Sequence, residues 1–174
     1  MPIHKKILAG LTGLAATFGA MPAQAEVLAF QAKLDGKYGE ATGSTATGRA
    51  RISVDTKRQS VSVDLTLDGI TTDALWDRLV AAPIGPIHFH KYATPAGGDS
   101  VLVLPLPYSA QYRPTKRGLK VTIKGYDYAT GGKLVNSKLS FDDFVAAMRG
   151  GLIVVNVHTD KVNPGEISGL VTEG

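Results

Sequence analysis

Between Glu26 and Gly174 the only histidines are His88, His90 and His158. Imidazole is the commonest protein metal ligand and titrates near neutral pH. On an extended strand, residues two apart point to the same face, so His88 and His90 form a ready bidentate pair. His158 ends a second apolar run, Leu152 to Thr159. Adjacent strands lie about 4.7–4.9 Å apart. If these two strands are neighbours, three imidazoles converge, with a fourth position open to water or a carboxylate. That ligand set suits zinc or copper. Such a site should weaken below about pH 6.5, where an ordinary imidazole takes a proton. Asp99, Asp160 and Glu166 lie near the histidines in sequence and could orient a ring through its second nitrogen. The plainer account bonds the histidines to backbone, Thr or Asn groups at a loop-rich end of a β domain.

Other chemistry finds little support. There is no cysteine, which excludes a disulfide framework, a thiolate metal site and a cysteine nucleophile. Ser100, Ser109 and Ser137 lack the Gly-x-Ser-x-Gly setting of a serine hydrolase. Gly131-Gly132-Lys133 has neither the spacing nor the Lys-Ser/Thr pair of a phosphate loop. Asp142-Asp143 is explained by helix capping. A dinuclear copper–zinc dismutase centre needs more histidines than the chain has, so that activity is not expected. Arg113, Lys116 and Arg117 read as a solvated basic loop. No catalytic constellation emerges, and the chain reads as non-enzymatic.

The elements that must position these residues are mostly strands. Leu28, Phe30, Ala32 and Leu34 alternate with polar or small neighbours, the pattern of a half-buried strand. Ala50, Ile52 and Val54 repeat it, and Val61, Val63, Leu65 and Leu67 follow a polar turn over 56–60. Matched runs around a short turn predict an antiparallel hairpin. Ile87 to Tyr92, Val101 to Leu106, Leu119 to Ile123, Leu152 to Thr159 and Glu166 to Thr172 supply further strands. Tyr108 to Gly118 reads as a polar loop, and Asp73 to Ala82 is too short to assign. One helix is predicted over 140–149, capped by Ser140, with Phe141, Phe144, Val145 and Met148 on its core face. Many short strands and one late helix imply a mainly β fold: an antiparallel, Greek-key sandwich or barrel.

The start of the chain assigns a compartment. His4-Lys5-Lys6 precede an apolar stretch from Ile7 to Met21, and Pro22-Ala23-Gln24-Ala25 offers a small-x-small cleavage site. This reads as a secretory signal over residues 1–25, leaving a single domain over 26–174. The apolar stretch is shorter than the roughly 20 residues a membrane span needs. Of 19 basic residues, Lys5 and Lys6 leave with the signal, so 17 face 15 acidic ones, formally +2. That balance gives no footprint for nucleic acid. The expected location is periplasmic or secreted, with no stable membrane insertion after cleavage. A 149-residue remainder (174 less 25) can bury enough surface to be stable without disulfides.

Three segments together resemble the CHRD (chordin-type) domain family: Ala46-Thr47-Gly48-Arg49-Ala50, then Gly85-Pro86-Ile87-His88-Phe89-His90, then Asn156-Val157-His158-Thr159 with Asn163-Pro164-Gly165-Glu166-Ile167-Ser168-Gly169. Their order covers nearly all of residues 26–174. The chain is similar to the single-domain, bacterial-type exported members. The resemblance implies an immunoglobulin-like β-sandwich or barrel, an extracytoplasmic setting, and His158 placed beside His88 and His90. It also implies a binding or structural module whose partner is a protein, glycan or envelope component; the alternative is a small metal-binding protein using the three histidines. The family usually reads Glu-Ile-Arg-Gly where this chain has Ser168, so any contact made by that arginine is absent here.

Overall fold

A computed structural model describes residues 26–39 and 41–174 of the chain. The signal sequence expected over residues 1–25 lies outside the described residues. Strict alternation builds the first three strands. In β1 (Val27–Asp35) every second residue is buried, from Leu28 to Leu34. β2 (Thr47–Asp55) and β3 (Ser60–Asp68) pair with it in turn, antiparallel, with Phe30 opposite Ile52 and Ile52 opposite Val63. A one-residue slip would send these apolar sets to solvent, so burial fixes the register. Asp55 Oδ1 accepts the amides of Lys57 and Arg58 and shapes the turn between β2 and β3.

The remaining strands are β4 (Ile87–Thr94), β5 (Gly97–Leu106), β6 (Tyr112–Pro114), β7 (Gly118–Asp127), β8 (Ile153–Val157) and β9 (Ile167–Glu173). All nine form one antiparallel sheet in the order β5-β4-β8-β9-β1-β2-β3-β7-β6. The sheet curls into a half-barrel, which agrees with the expected sandwich or barrel class while using a single continuous sheet. β5 is an edge strand, which is why it tolerates Pro105. The loop read over Tyr108–Gly118 contains β6, and its Arg117 pairs with Asp68 at 2.9 Å on the surface. That agrees with a solvated basic loop.

The predicted helix is α3, and two shorter ones accompany it: α1 (Asp77–Val80), α2 (Tyr128–Leu134) and α3 (Phe141–Arg149). Sequence pattern hid α2 because Gly131 and Gly132 are poor helix formers. Packing favours the first of them: a Cβ on Gly131 would crowd Leu104 Cδ1 and the Tyr126 ring. α3 closes the core. Phe144 meets Phe89 edge to face at 6.1 Å, and both are fully buried. Ser140 Oγ accepts the Asp143 amide at 3.1 Å. Replacing that cap, Ser140→Ala, is expected to cost about 1 kcal/mol. The unfolding midpoint should then fall by roughly 2–4 °C for a domain of this size, as thermal unfolding followed by circular dichroism would show. An unchanged midpoint would mean the cap contributes nothing.

Candidate metal centre

β4 separates its residues by parity. Ile87 and Phe89 enter the core with no exposure. His88 and His90 therefore stand on the opposite face of the sheet. β8 lies alongside, with Ile87 opposite Val157 and His88 opposite Asn156. The His158 amide donates to Pro86 O at 2.9 Å, carrying the pairing one step past the strand. His158 thus shares the face of Asn156 and sits diagonally across from His88, within reach of a side chain.

The three rings converge. Centroids are 4.7 Å apart for His88 and His158, 5.7 Å for His88 and His90, and 6.1 Å for His90 and His158. One nitrogen from each ring lies within 4.8 Å of the other two. Trp76 flanks the group, its ring 6.4 Å from His158.

Two backbone carbonyls fix the tautomers. His88 Nε2 stands 2.7 Å from Gly85 O, and His158 Nδ1 stands 2.7 Å from Asn163 O. A carbonyl only accepts, so those nitrogens carry protons, and in the neutral ring the other nitrogen keeps its lone pair. The free lone pairs are then on His88 Nδ1 and His158 Nε2. His158 Nε2 and His90 Nε2 are buried without any hydrogen-bond partner. A buried polar atom left unpaired costs about 1–3 kcal/mol, and two in one cluster call for an explanation.

The electrostatics keep the rings neutral. Burial pushes His88 down to about 3, helped by the charge that would sit on His158 and opposed by the Gly85 carbonyl. Burial, then His158, takes His90 down to about 4. His158 is also lowered, by burial, against the Asn163 carbonyl. Neutral imidazole is the form that binds metal.

None of the acidic residues considered from sequence touches a ring. Asp99 is exposed, Asp160 accepts the Asp77 amide at 3.3 Å, and Glu166 takes hydroxyl protons from Ser44 and Thr159. The carbonyls of Gly85 and Asn163 orient the rings instead. Gly85 can present its carbonyl because the tight turn holds it at φ 70°, where glycine is unstrained; a Cβ there would clash with the Leu106 carbonyl oxygen. The glycine and the Asn163-Pro164-Gly165 turn were visible in the sequence, but not the direction of their carbonyls. Ser168 donates to Asn156 Oδ1 at 3.1 Å, and Asn156 Nδ2 donates to Pro164 O at 3.2 Å. This pair ties β9, β8 and the turn together behind the histidines.

A cavity of about 700 Å³ lies beside the cluster, lined by Tyr38, Thr42, Tyr92, Asn156, Gly165 and Ser168. The histidines do not line it. The Tyr38 and Tyr92 rings meet edge to face at 6.2 Å.

A family model described as the CHRD domain matches residues 30–171. No curated protein matches the chain. No solved structure matches it either.

Proposed function

The chain belongs to the CHRD domain family, and from that premise we propose an exported binding module that holds a zinc or copper ion in its three-histidine centre. At family level, membership supports a non-enzymatic, extracellular binding module. No helix among the described residues is long and apolar enough to cross a membrane. The proposal adds signal cleavage after Ala25, release of residues 26–174 as one domain to the periplasm or beyond, and a metal.

One observation carries the metal: three neutral imidazoles, two buried and that of His90 half-buried, offer nitrogens within 4.8 Å of one another, and Nε2 of His90 and of His158 has no other partner. Zinc–nitrogen bonds of about 2.0–2.1 Å require ligand nitrogens roughly 3–3.5 Å apart in a tetrahedral site. A metal-bound geometry therefore requires the rings to turn inward. The second nitrogens of His88 and His158 are held by carbonyls, the arrangement that fixes ring orientation in metal sites. Bound there, the ion would tie β4 to the end of β8 and leave one coordination position free. The cavity lined by Tyr38, Tyr92 and Asn156 favours a second role on the same face, recognition of a protein or glycan group.

Titrating zinc, and separately copper, into wild-type protein and His90→Ala tests the metal. One ion per chain is expected for wild type, with at least a hundredfold weaker binding in the variant. Binding by neither protein, or equally by both, would reject the centre. His158→Ala separates structure from ligation: loss of metal with an unchanged metal-free unfolding midpoint supports ligation.

A further inference from the structure

Glu166 is the only buried carboxylate among the described residues, and none of their cations stands within 4 Å of it. Ser44 Oγ donates to its Oε1 at 2.6 Å, and Thr159 Oγ1 donates to its Oε2 at 2.6 Å. Both hydroxyl oxygens already accept backbone amides, Ala46 N for Ser44 and Val162 N for Thr159, each at 3.1 Å. Glu166 thus accepts a hydroxyl proton at each oxygen, as an ionised carboxylate does. A buried charge without a partner is expensive, so such charges are found paired or near a metal.

This charge is tied to Thr159, the residue next to His158. The Glu166 amide donates to Val157 O at 2.7 Å, directly before His158 in the chain, and Thr159 directly follows it. Thr159 also anchors the turn that carries the Asn163 carbonyl: its own carbonyl accepts Asn163 Nδ2 at 2.9 Å. The three imidazoles bring no charge, so an ion held by them alone would leave its full charge buried.

We infer that Glu166 is the counter-charge of the histidine centre, which makes the centre selective for a divalent cation over a monovalent one. The inference rests on the metal-binding reading. Glu166 acts here as a positioning and charge-balancing residue: it reaches the site through Thr159 and makes no contact with the rings. One negative charge offsets half of a divalent ion and leaves room for one small anion, such as hydroxide, at the free coordination position.

Coulomb energy is proportional to the ion's charge, so removing Glu166's charge acts twice as strongly, on a logarithmic scale, on a divalent ion. Partners bonded directly to metal ligands alter affinity about 10–100-fold, and Glu166, one residue further out, belongs at the lower end of that range. Glu166→Gln should therefore weaken Zn²⁺ binding about tenfold or more. Ag⁺, a monovalent probe for imidazole that air does not oxidise, should weaken by only about the square root of that factor, or roughly threefold. Glu166→Asp keeps the charge and should recover most of the Zn²⁺ affinity. A role confined to holding the turn would weaken both ions by the same factor. Affinities come from competition titrations, with metal-free unfolding midpoints measured alongside. Should Glu166→Gln fail to fold, Glu166→Asp and Thr159→Val decide: both keep the charge, so both should retain the wild-type preference for Zn²⁺ over Ag⁺. Equal loss for the two ions in Glu166→Gln, unchanged Zn²⁺ binding in it, or an altered ion preference in the two charge-retaining variants would overturn the counter-charge. Loss of Zn²⁺ binding in His90→Ala would leave the metal centre itself standing. Absence of binding in wild type would remove both.

Discussion

Acidifying the metal-free protein from pH 7 to pH 4 should remove several kcal/mol of folding stability. In the unfolded chain a histidine titrates near 6.5, whereas burial holds His90 at about 4 and His88 at about 3 in the folded protein. Between those limits the unfolded state binds more protons, so stability falls as pH falls. Above 6.5 both states are neutral and the full stability is present. Loss begins as pH drops through 6.5 and is complete for each ring only below its folded value. One pH unit of depression corresponds to about 1.4 kcal/mol. His90 alone then accounts for roughly 3 kcal/mol by pH 4, and His88 adds to it. Marginal domains hold only about 5–15 kcal/mol in total, so the protein should approach unfolding at pH 4. The depressed carboxyls, Asp64 beside Lys124 and Asp127 capping Thr130, act only below their ordinary 3.8. The window from 6.5 to 4 therefore belongs to the histidines. Urea unfolding at pH 7, 5.5 and 4 measures the slope, and a His88→Gln/His90→Gln variant should flatten it. Equal wild-type stability at pH 7 and pH 4 would sink the argument.

The strands that carry the histidines could be read from sequence for a specific reason. Wherever one face of an element is buried and the other solvated, the burden shows as a period. β1 to β3 display period two without a break, and α3 displays Phe141, Phe144, Val145 and Met148 at helical spacing. His88 and His90 inherit a common face from the same rule. The pairing of β8 with β4 obeys no local rule, because more than 60 residues separate Phe89 from Val155. Only the family resemblance placed His158 beside the other two. The ring partners were beyond sequence for another reason. A backbone carbonyl carries no side-chain signature, so Gly85 and Asn163 cannot be told from other turn residues, while Asp99 and Asp160, near the histidines in sequence, make no hydrogen bond to the rings. Sequence proximity points to Glu166, but its contact with Thr159 depends on a turn conformation that local propensity does not specify.

The burial that makes the metal-free protein acid-sensitive should also make its metal binding acid-tolerant. An ordinary three-histidine site loses affinity below about pH 6.5 because protons compete for the ligands. Here the folded rings resist protonation until about pH 4 for His90 and about 3 for His88, so the expectation of weakening near 6.5 gives way to one of binding maintained well below it. A ligand that binds only the folded state stabilises it by about 4.1 kcal/mol when present at a thousand times its dissociation constant. For a domain of this size that raises the unfolding midpoint by roughly 8–16 °C. Zinc should produce this rise at pH 7.5 and retain most of it at pH 5.5, even though the metal-free midpoint is lower there. His90→Ala, left with two ligands, should show little rise at either pH. Differential scanning calorimetry of both proteins, with zinc and with chelator, measures all of these values. A rise present at pH 7.5 but lost at pH 5.5 would mean the rings titrate as ordinary imidazoles and are more open to solvent than the cluster implies. An identical rise in His90→Ala would place the ion elsewhere, since a centre built on three convergent nitrogens does not survive the loss of one.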